Sequence, residues 1–130
     1  MKKILLATLT LFLIHCVSAQ TNTFTATASG WNTAGNWSLG IIPTSSHDVI
    51  IPSGKTVTGM SSAGANNCKT LTVSGTLTFS GGNPRYITVS DTVLITSGGV
   101  INMTGSNAYY IVSIRSRFLP ALFRLGIFKV

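Results

Sequence analysis

Few residues in this sequence could carry chemistry, and the clearest pair is His47 and Asp48. Adjacent imidazole and carboxyl groups could bind a metal or transfer a proton. Catalytic zinc, however, takes three protein ligands, and no second histidine or cysteine cluster accompanies this pair beyond the N-terminal segment. We therefore interpret the two residues as a loop pair in which Asp48 caps the turn before Val49. The sequence predicts no metal site and no cofactor.

Asp48 and Asp91 are the only acidic residues of the chain. Most glycoside hydrolases need two carboxyl groups, but these two lie 43 positions apart, each at a predicted turn. The turn position of Asp91 is like those of Gly54 and Gly75, which favours a structural role. No serine belongs to a recognisable nucleophile motif, and the glycine-rich turns lack a phosphate-binding lysine. We therefore expect a protein that is not an enzyme.

Cys68 is the one thiol of the predicted mature chain, because Cys16 lies in the N-terminal apolar segment. A single cysteine cannot form an internal disulfide. We favour the interpretation that it is a small buried side chain beside a strand. The alternatives are an intermolecular disulfide or a reactive thiol whose pKa the neighbouring Lys69 lowers.

Two tryptophans, Trp31 and Trp37, are the candidate glycan contacts. Exposed aromatic rings stack on sugars, so a surface lined with them could bind polysaccharide or a cell-surface glycan. The same rings could instead cover the open end of a stacked fold, because large aromatic side chains bury much apolar area. We favour the covering role and keep glycan contact as the alternative.

Residues 1–19 have the three parts of a secretory signal peptide. Lys2 and Lys3 precede an uncharged apolar run, and the cleavage motif Val17-Ser18-Ala19 follows it. The apolar run is shorter than the ~20 residues of a membrane-spanning helix. We expect cleavage after Ala19 by a bacterial signal peptidase, a secreted or cell-surface location, and no integral membrane span after cleavage.

The predicted mature chain, residues 20–130, has seven basic residues and two acidic ones, a net charge of +5. Four of the seven basic residues follow position 112. A nucleic-acid-binding face would instead cluster its lysines and arginines on the folded body. The charge distribution therefore indicates that nucleic acid is not a partner, and the sequence does not indicate an oligomeric state.

The middle of the chain, residues 48–107, repeats a short unit in which apolar residues alternate with threonines and a small turn follows. Such alternation places one face of a strand in a core and the other in water. The turn residues Gly54, Gly75, Asp91 and Gly99 indicate a coil of 21–24 residues with an extra corner.

This repeat predicts an all-β fold, a short right-handed parallel β-helix (a solenoid) of two to three coils. A small antiparallel β-sandwich is the alternative, because Ser-Gly and Gly-Gly also form hairpin turns. The side chains predicted to point inward are Val57, Leu71, Val73, Leu77, Phe79, Ile87, Val89, Val93, Ile95, Ile101 and Met103.

Two segments of different composition flank the coils. Residues 20–47 contain a plausible first strand and a loop with both tryptophans, and we interpret them as a capping segment. Residues 108–130 form an atypical basic and apolar tail, in which Pro120 prevents one long helix. The tail could bind a membrane surface or cap the solenoid, but we favour a truncated or frame-shifted piece of a longer gene.

The residues around the first coil carry a resemblance to a known class of proteins. They are Trp31, Asn36-Trp37-Ser38, Gly40, Pro43, Asp48-Val49, Ile51-Pro52, Gly54 and Val57. This order resembles the pattern that opens β-helical regions in exported surface proteins of the Bacteroidetes type, and it is similar to the start of G8-type domains. The segment 68–77 looks like the coil that follows. The resemblance implies a large adhesin-like protein with many more coils and a C-terminal sorting domain.

We therefore expect an exported, non-catalytic β-solenoid segment of a cell-surface or secreted adhesin-like protein, as a fragment of a longer chain. Polysaccharide or a cell-surface glycan is the expected partner class. The alternatives are a carbohydrate-binding module and the N-terminal part of a polysaccharide-active enzyme.

Overall fold

The computed structural model describes residues 19–60, 66–80, 85–104 and 109–113. These residues form eleven short strands and one turn of 3-10 helix, Ala34–Asn36. The strands are β1 Gln20–Thr23, β2 Ala28–Gly30, β3 His47–Ile51, β4 Thr56–Thr58, β5 Asn67–Cys68, β6 Thr70–Val73, β7 Thr76–Ser80, β8 Arg85–Val89, β9 Val93–Ile95, β10 Val100–Thr104 and β11 Tyr109–Ser113.

The strands build three parallel sheets. Their orders are β1-β3-β6-β9, β2-β4-β7-β10 and β5-β8-β11. Every pairing between these strands is parallel. Successive strands visit the three sheets in turn, so β3-β4-β5, β6-β7-β8 and β9-β10-β11 are three coils of a solenoid, preceded by the partial coil β1-β2. This confirms the predicted parallel β-helix and excludes the antiparallel sandwich.

The register between coils explains the repeat seen in the sequence. In the first sheet Val49 pairs with Leu71, and Leu71 pairs with Val93, a spacing of 22 residues each time. In the second sheet the spacing is 20 residues from Val57 to Leu77 and 24 from Leu77 to Ile101. In both sheets the register therefore places inward apolar residues directly on inward apolar residues of the next coil.

The stacked inward residues form the core. Of the predicted inward set, Val93, Ile101 and Met103 are partly buried against the core. Ile95 also points inward, because it stacks on the buried Val73, but it is 51% exposed. Its strand β9 pairs with β6 on one side, and no described strand covers the other side. The seven completely buried members of the set are Val57, Leu71, Val73, Leu77, Phe79, Ile87 and Val89.

The glycines at the corner between the first and second sheets serve two different purposes. Gly54 and Gly98 have φ angles of +74° and +85°, which L-residues with side chains rarely adopt. Gly75 instead lies so close to the preceding coil that a Cβ atom would collide with the carbonyl oxygens of Pro52 and Lys55. The turn residues therefore permit both the tight corner and the close stacking of neighbouring coils.

Asp91 does not occupy the turn position of Gly54 and Gly75, which corrects the sequence-based alignment. It lies at a different corner, between β8 and β9, and its backbone N–H donates to the carbonyl of Lys69 at 2.8 Å. The extra corner in the predicted coil is thus the junction between the third sheet and the first.

The limits of the solenoid also differ from the predicted boundaries. Strand β11, Tyr109–Ser113, pairs in register with β8 and completes the third coil. The coils therefore extend beyond position 107, into the first residues of the segment that composition assigned to the tail. At the other end, β1 and β2 of the capping segment pair with β3 and β4. The predicted signal peptide up to residue 18, and the tail from residue 114, lie outside the described residues.

Candidate functional site

The two tryptophans lie together, immediately after the short strand β2. Trp31 follows β2, and Trp37 follows the 3-10 turn. The side chains are 0% and 2% exposed. Their ring centroids are 4.9 Å apart at an interplanar angle of 71°, and Phe24 packs on Trp37 at 5.2 Å and 73°. Both are edge-to-face contacts, a favourable arrangement of aromatic quadrupoles.

Hydrogen bonds hold this aromatic cluster, Phe24, Trp31 and Trp37, in place. The indole Nε1–H of Trp37 donates to the backbone carbonyl of Trp31 at 2.8 Å. The side-chain amide of Asn36 donates to the carbonyl of Gly30 at 2.8 Å. Phe24 and Trp37 also form an isolated antiparallel bridge, so the loop folds back across β1.

The aromatic cluster marks the first end of the coil stack. Strands β1 and β2 are the outermost strands of their sheets, and the cluster lies in the loop that connects and follows them. Neither Trp31 nor Trp37 presents a ring face for stacking on a sugar, because both are buried. Their positions match the covering role rather than glycan contact.

Two buried asparagines hold separate parts of the chain together, and sequence reasoning missed both. The side chain of Asn22 donates to the carbonyl of Ile41 at 2.9 Å and accepts from the N–H of Leu39 at 3.2 Å. The amide of Asn66 donates to the carbonyl of Tyr86 at 2.9 Å. The available signal was the alternation of β1, since Asn22 pairs with the inward residue Val49.

His47 and Asp48 separate into two structural roles. The Nδ1 atom of His47 accepts a hydrogen bond from the backbone N–H of Thr44 at 2.9 Å, and the Thr44 hydroxyl lies 3.1 Å from the same nitrogen. Asp48 accepts from the hydroxyl of Thr70 on the next coil at 2.7 Å. The imidazole therefore caps the turn, and the prediction that Asp48 does so was wrong.

The chemical groups of the described chain do not assemble into a metal centre. No three His, Cys, Asp or Glu residues lie close enough to hold a metal ion among the residues described. Asp48 bonds across to the second coil, whereas the carboxylate of Asp91 accepts from the adjacent Thr92 hydroxyl at 3.3 Å. Each aspartate thus has its own local partner.

Cys68 lies in the core at the end of β5 and is completely buried. Burial, and secondarily the negative charge of Asp48, raises the pKa of its thiol to about 12. The alternative in which Lys69 lowers the pKa of this thiol is therefore wrong, and the interpretation as a small buried side chain is confirmed. A protonated buried thiol is a poor nucleophile.

In the described part of the chain, no helix has the length and apolar composition needed to cross a membrane.

The comparison with known families gives one match. The family model described as "Domain of unknown function (DUF8693)" matches residues 23–114. No curated protein and no solved structure matches the chain. The matched residues include the aromatic cluster and all three coils. The chain therefore belongs to the DUF8693 family.

Proposed function

We propose that this protein is a non-catalytic, exported β-solenoid segment of an adhesin-like bacterial surface protein. The observation that carries the proposal is the structural use of its reactive groups. The imidazole of His47 caps a turn, the thiol of Cys68 is buried in the core, and the indole of Trp37 bonds to backbone. Because these groups hold the coils together, we infer that the protein acts through its outer sheet faces, which can contact partners.

The outer face of the second sheet supports this role. Thr56 and Thr58 of the first coil stand beside Thr76 and Thr78 of the second, with neighbouring strands about 4.8 Å apart. All four side chains are partly exposed. Such an uncharged hydroxyl surface can form many weak contacts, and multivalent display converts weak contacts into firm adhesion.

The predicted signal peptide and the resemblance to exported Bacteroidetes-type surface proteins support export. The test is to produce the full chain, with a C-terminal epitope tag, in a Gram-negative host and to sequence the N-terminus of the mature product. We expect it to begin at Gln20. The control variant Ala19→Tyr should accumulate as uncleaved precursor, because signal peptidases require a small residue there. Wild-type protein that retains residues 1–19 would overturn the proposed export.

Adhesion is tested separately by coating beads with the exported chain and measuring their retention on bacterial cells and immobilised polysaccharides. We expect retention that falls several-fold in the double variant Thr58→Glu, Thr78→Glu. The matched control is Thr72→Glu with Leu94→Glu, which places the same two charges on neighbouring strands at the outer face of the first sheet. Retention that is absent, or unaffected by both changes in a folded protein, would count against an adhesive second sheet.

A further inference from the structure

The two ends of the solenoid differ in how they are covered. The first end has the aromatic cluster, whose three rings are at most 2% exposed. At the second end, β9, β10 and β11 are the outermost strands of the three sheets. We call this surface the open end, and its inward side chains are Val93, Ile95, Ile101, Met103 and Ile111.

The open end is apolar and lacks the usual protection of sheet edges. Ile95 is 51% exposed, and the other four inward side chains are only partly buried. Natural edge strands are commonly guarded by lysine, proline or bulges, but residues 92–104 contain no charged residue and no proline. An unguarded apolar edge is a surface that another segment of chain can cover.

The segment nearest to the open end is the continuation of the chain itself. Residues 114–130 follow Ser113, the last residue of the outermost strand β11. Ten of these seventeen residues are apolar, and none is acidic. We propose that residues 114–130 pack against the open end and cover it. A covalently attached segment has a high effective concentration at an adjacent surface, so it competes well with any free partner.

The register of the sheets indicates what kind of cover this is. Ser113 pairs with Val89, so a fourth coil with the same corner as the one between Val89 and Val93 would place residue 117 above Val93 and residue 119 above Ile95. The first of these positions is Arg117, and a charged side chain is costly to bury in an apolar stack. The segment therefore covers the end as an irregular apolar cap and does not continue the parallel strands of the first sheet.

Trypsin provides the test, because the segment contains Arg115, Arg117 and Arg124. The rate of cleavage at these residues is measured by mass spectrometry in the exported chain and in a synthetic peptide of residues 114–130. When a docked segment must detach before cleavage, the rate reports the detached fraction. We expect cleavage in the chain to be at least about tenfold slower than in the peptide.

Two variants and a control assign the protection to the open end. Ile95→Asp should restore rapid cleavage, whereas Leu94→Asp should leave it slow, because Leu94 is equally exposed (53%) but lies on the outer face of the same strand. Phe118→Ser with Phe123→Ser changes only the segment and should also restore rapid cleavage. Circular dichroism verifies that each variant keeps its β-structure.

Three results would overturn the proposal. Equal cleavage rates in the chain and the peptide would show that the segment does not dock. Protection that grows with protein concentration, together with a dimer in light scattering, would assign the open end to a second copy of the chain. Protection that appears only with vesicles of anionic phospholipid would assign the segment to a lipid surface.

Discussion

At the scale of single residues, the reactive side chains of this protein serve the fold. His47 satisfies a backbone N–H, Cys68 fills a core position, and Trp37 bonds to the carbonyl of Trp31. Most buried polar groups have hydrogen-bond partners, because an unsatisfied one costs about 1–3 kcal/mol. The residues that looked most like a functional site are therefore the ones whose replacement should affect stability most directly.

The thiol of Cys68 should make stability dependent on alkaline pH. Its folded-state pKa, about 12, is above the value near 8.5 of an unfolded chain. As the pH rises, the unfolded chain loses the thiol proton before the folded chain does. The contribution of this thiol to the free energy of unfolding is therefore complete below pH ~8.5 and is lost as the pH rises to about 12. We expect the loss to approach about 1.4 kcal/mol per pH unit in this range.

Urea unfolding at pH 8, 9 and 10 measures this effect, with Cys68→Ala as the control that lacks the group. The difference between the two proteins isolates the thiol from lysines and tyrosines that titrate in the same range. A thiol reagent at pH 8 should label folded Cys68 only as fast as the protein opens. Identical pH dependence in both proteins would refute this account.

Substitutions of the two tryptophans can measure how much the hydrogen bond of the Trp37 indole contributes to the free energy of unfolding. Replacing either by phenylalanine removes a similar volume from the same cluster. Trp37→Phe also leaves the Trp31 carbonyl without its donor, whereas the indole N–H of Trp31 has no hydrogen-bond partner among the described residues. We expect Trp37→Phe to cost about 1–2 kcal/mol more than Trp31→Phe in urea unfolding. Equal losses would show that packing alone sets the cost.

At the scale of elements, the corner between the first two sheets sets how closely the coils stack. This corner combines positive-φ glycines with Gly75, whose missing Cβ allows the chain to pass against the carbonyls of Pro52 and Lys55. The N–H of Gly75 also donates to the carbonyl of Ile51 at 3.0 Å. Sheet register thus depends on a residue with no side chain.

Gly75→Ala should be severely destabilising, by about 3 kcal/mol or more, because two backbone carbonyls must move. Gly54→Ala has open space but a positive φ, so about 1–2 kcal/mol is expected. Gly35→Ala is the control, with neither constraint, and should stay within about 0.5 kcal/mol. Thermal and urea denaturation check this order, and a mild effect at Gly75 would contradict the close stacking.

At the scale of the whole molecule, each coil contacts mainly the coils next to it. Stability in such a stack is a sum of coil and interface contributions. The first end has an aromatic cover, whereas the described part of the second end has exposed apolar edge strands. The stack should therefore open from the second end, because detachment of the proposed cover, residues 114–130, is enough to leave these edge strands unprotected.

Hydrogen exchange by mass spectrometry tests this gradient. Amides of β10, such as those of Ile101 and Met103, should exchange at least about tenfold faster than those of Leu77 and Phe79 in β7, because terminal coils unfold locally at lower free energy. Uniform protection across the three coils would instead indicate a single cooperative unit.

The fold was largely predictable because its main signals are local. The alternation of Leu71, Val73, Leu77 and Phe79 with polar residues predicts inward and outward faces, and the spacing of glycine turns predicts the coil. All four side chains are buried. The composition change near Tyr109 led us to start the tail too early, at residue 108. Strand β11 is mostly apolar and pairs within a parallel sheet, where strands alternate less clearly between apolar and polar residues.

By itself, the sequence determined the all-β class, the approximate length of the repeating unit and most of the core, since strand alternation and turns are set by neighbouring residues. The parallel pairing of the structure then decided for the solenoid and against the antiparallel sandwich. Only the tertiary structure decided the burial of Trp31 and Trp37, the cap by His47 and the exposure of Ile95. These outcomes depend on which distant segments stack on each residue. A loop aromatic is buried when it covers an end of the stack, and an apolar strand residue is exposed when no further coil lies on it.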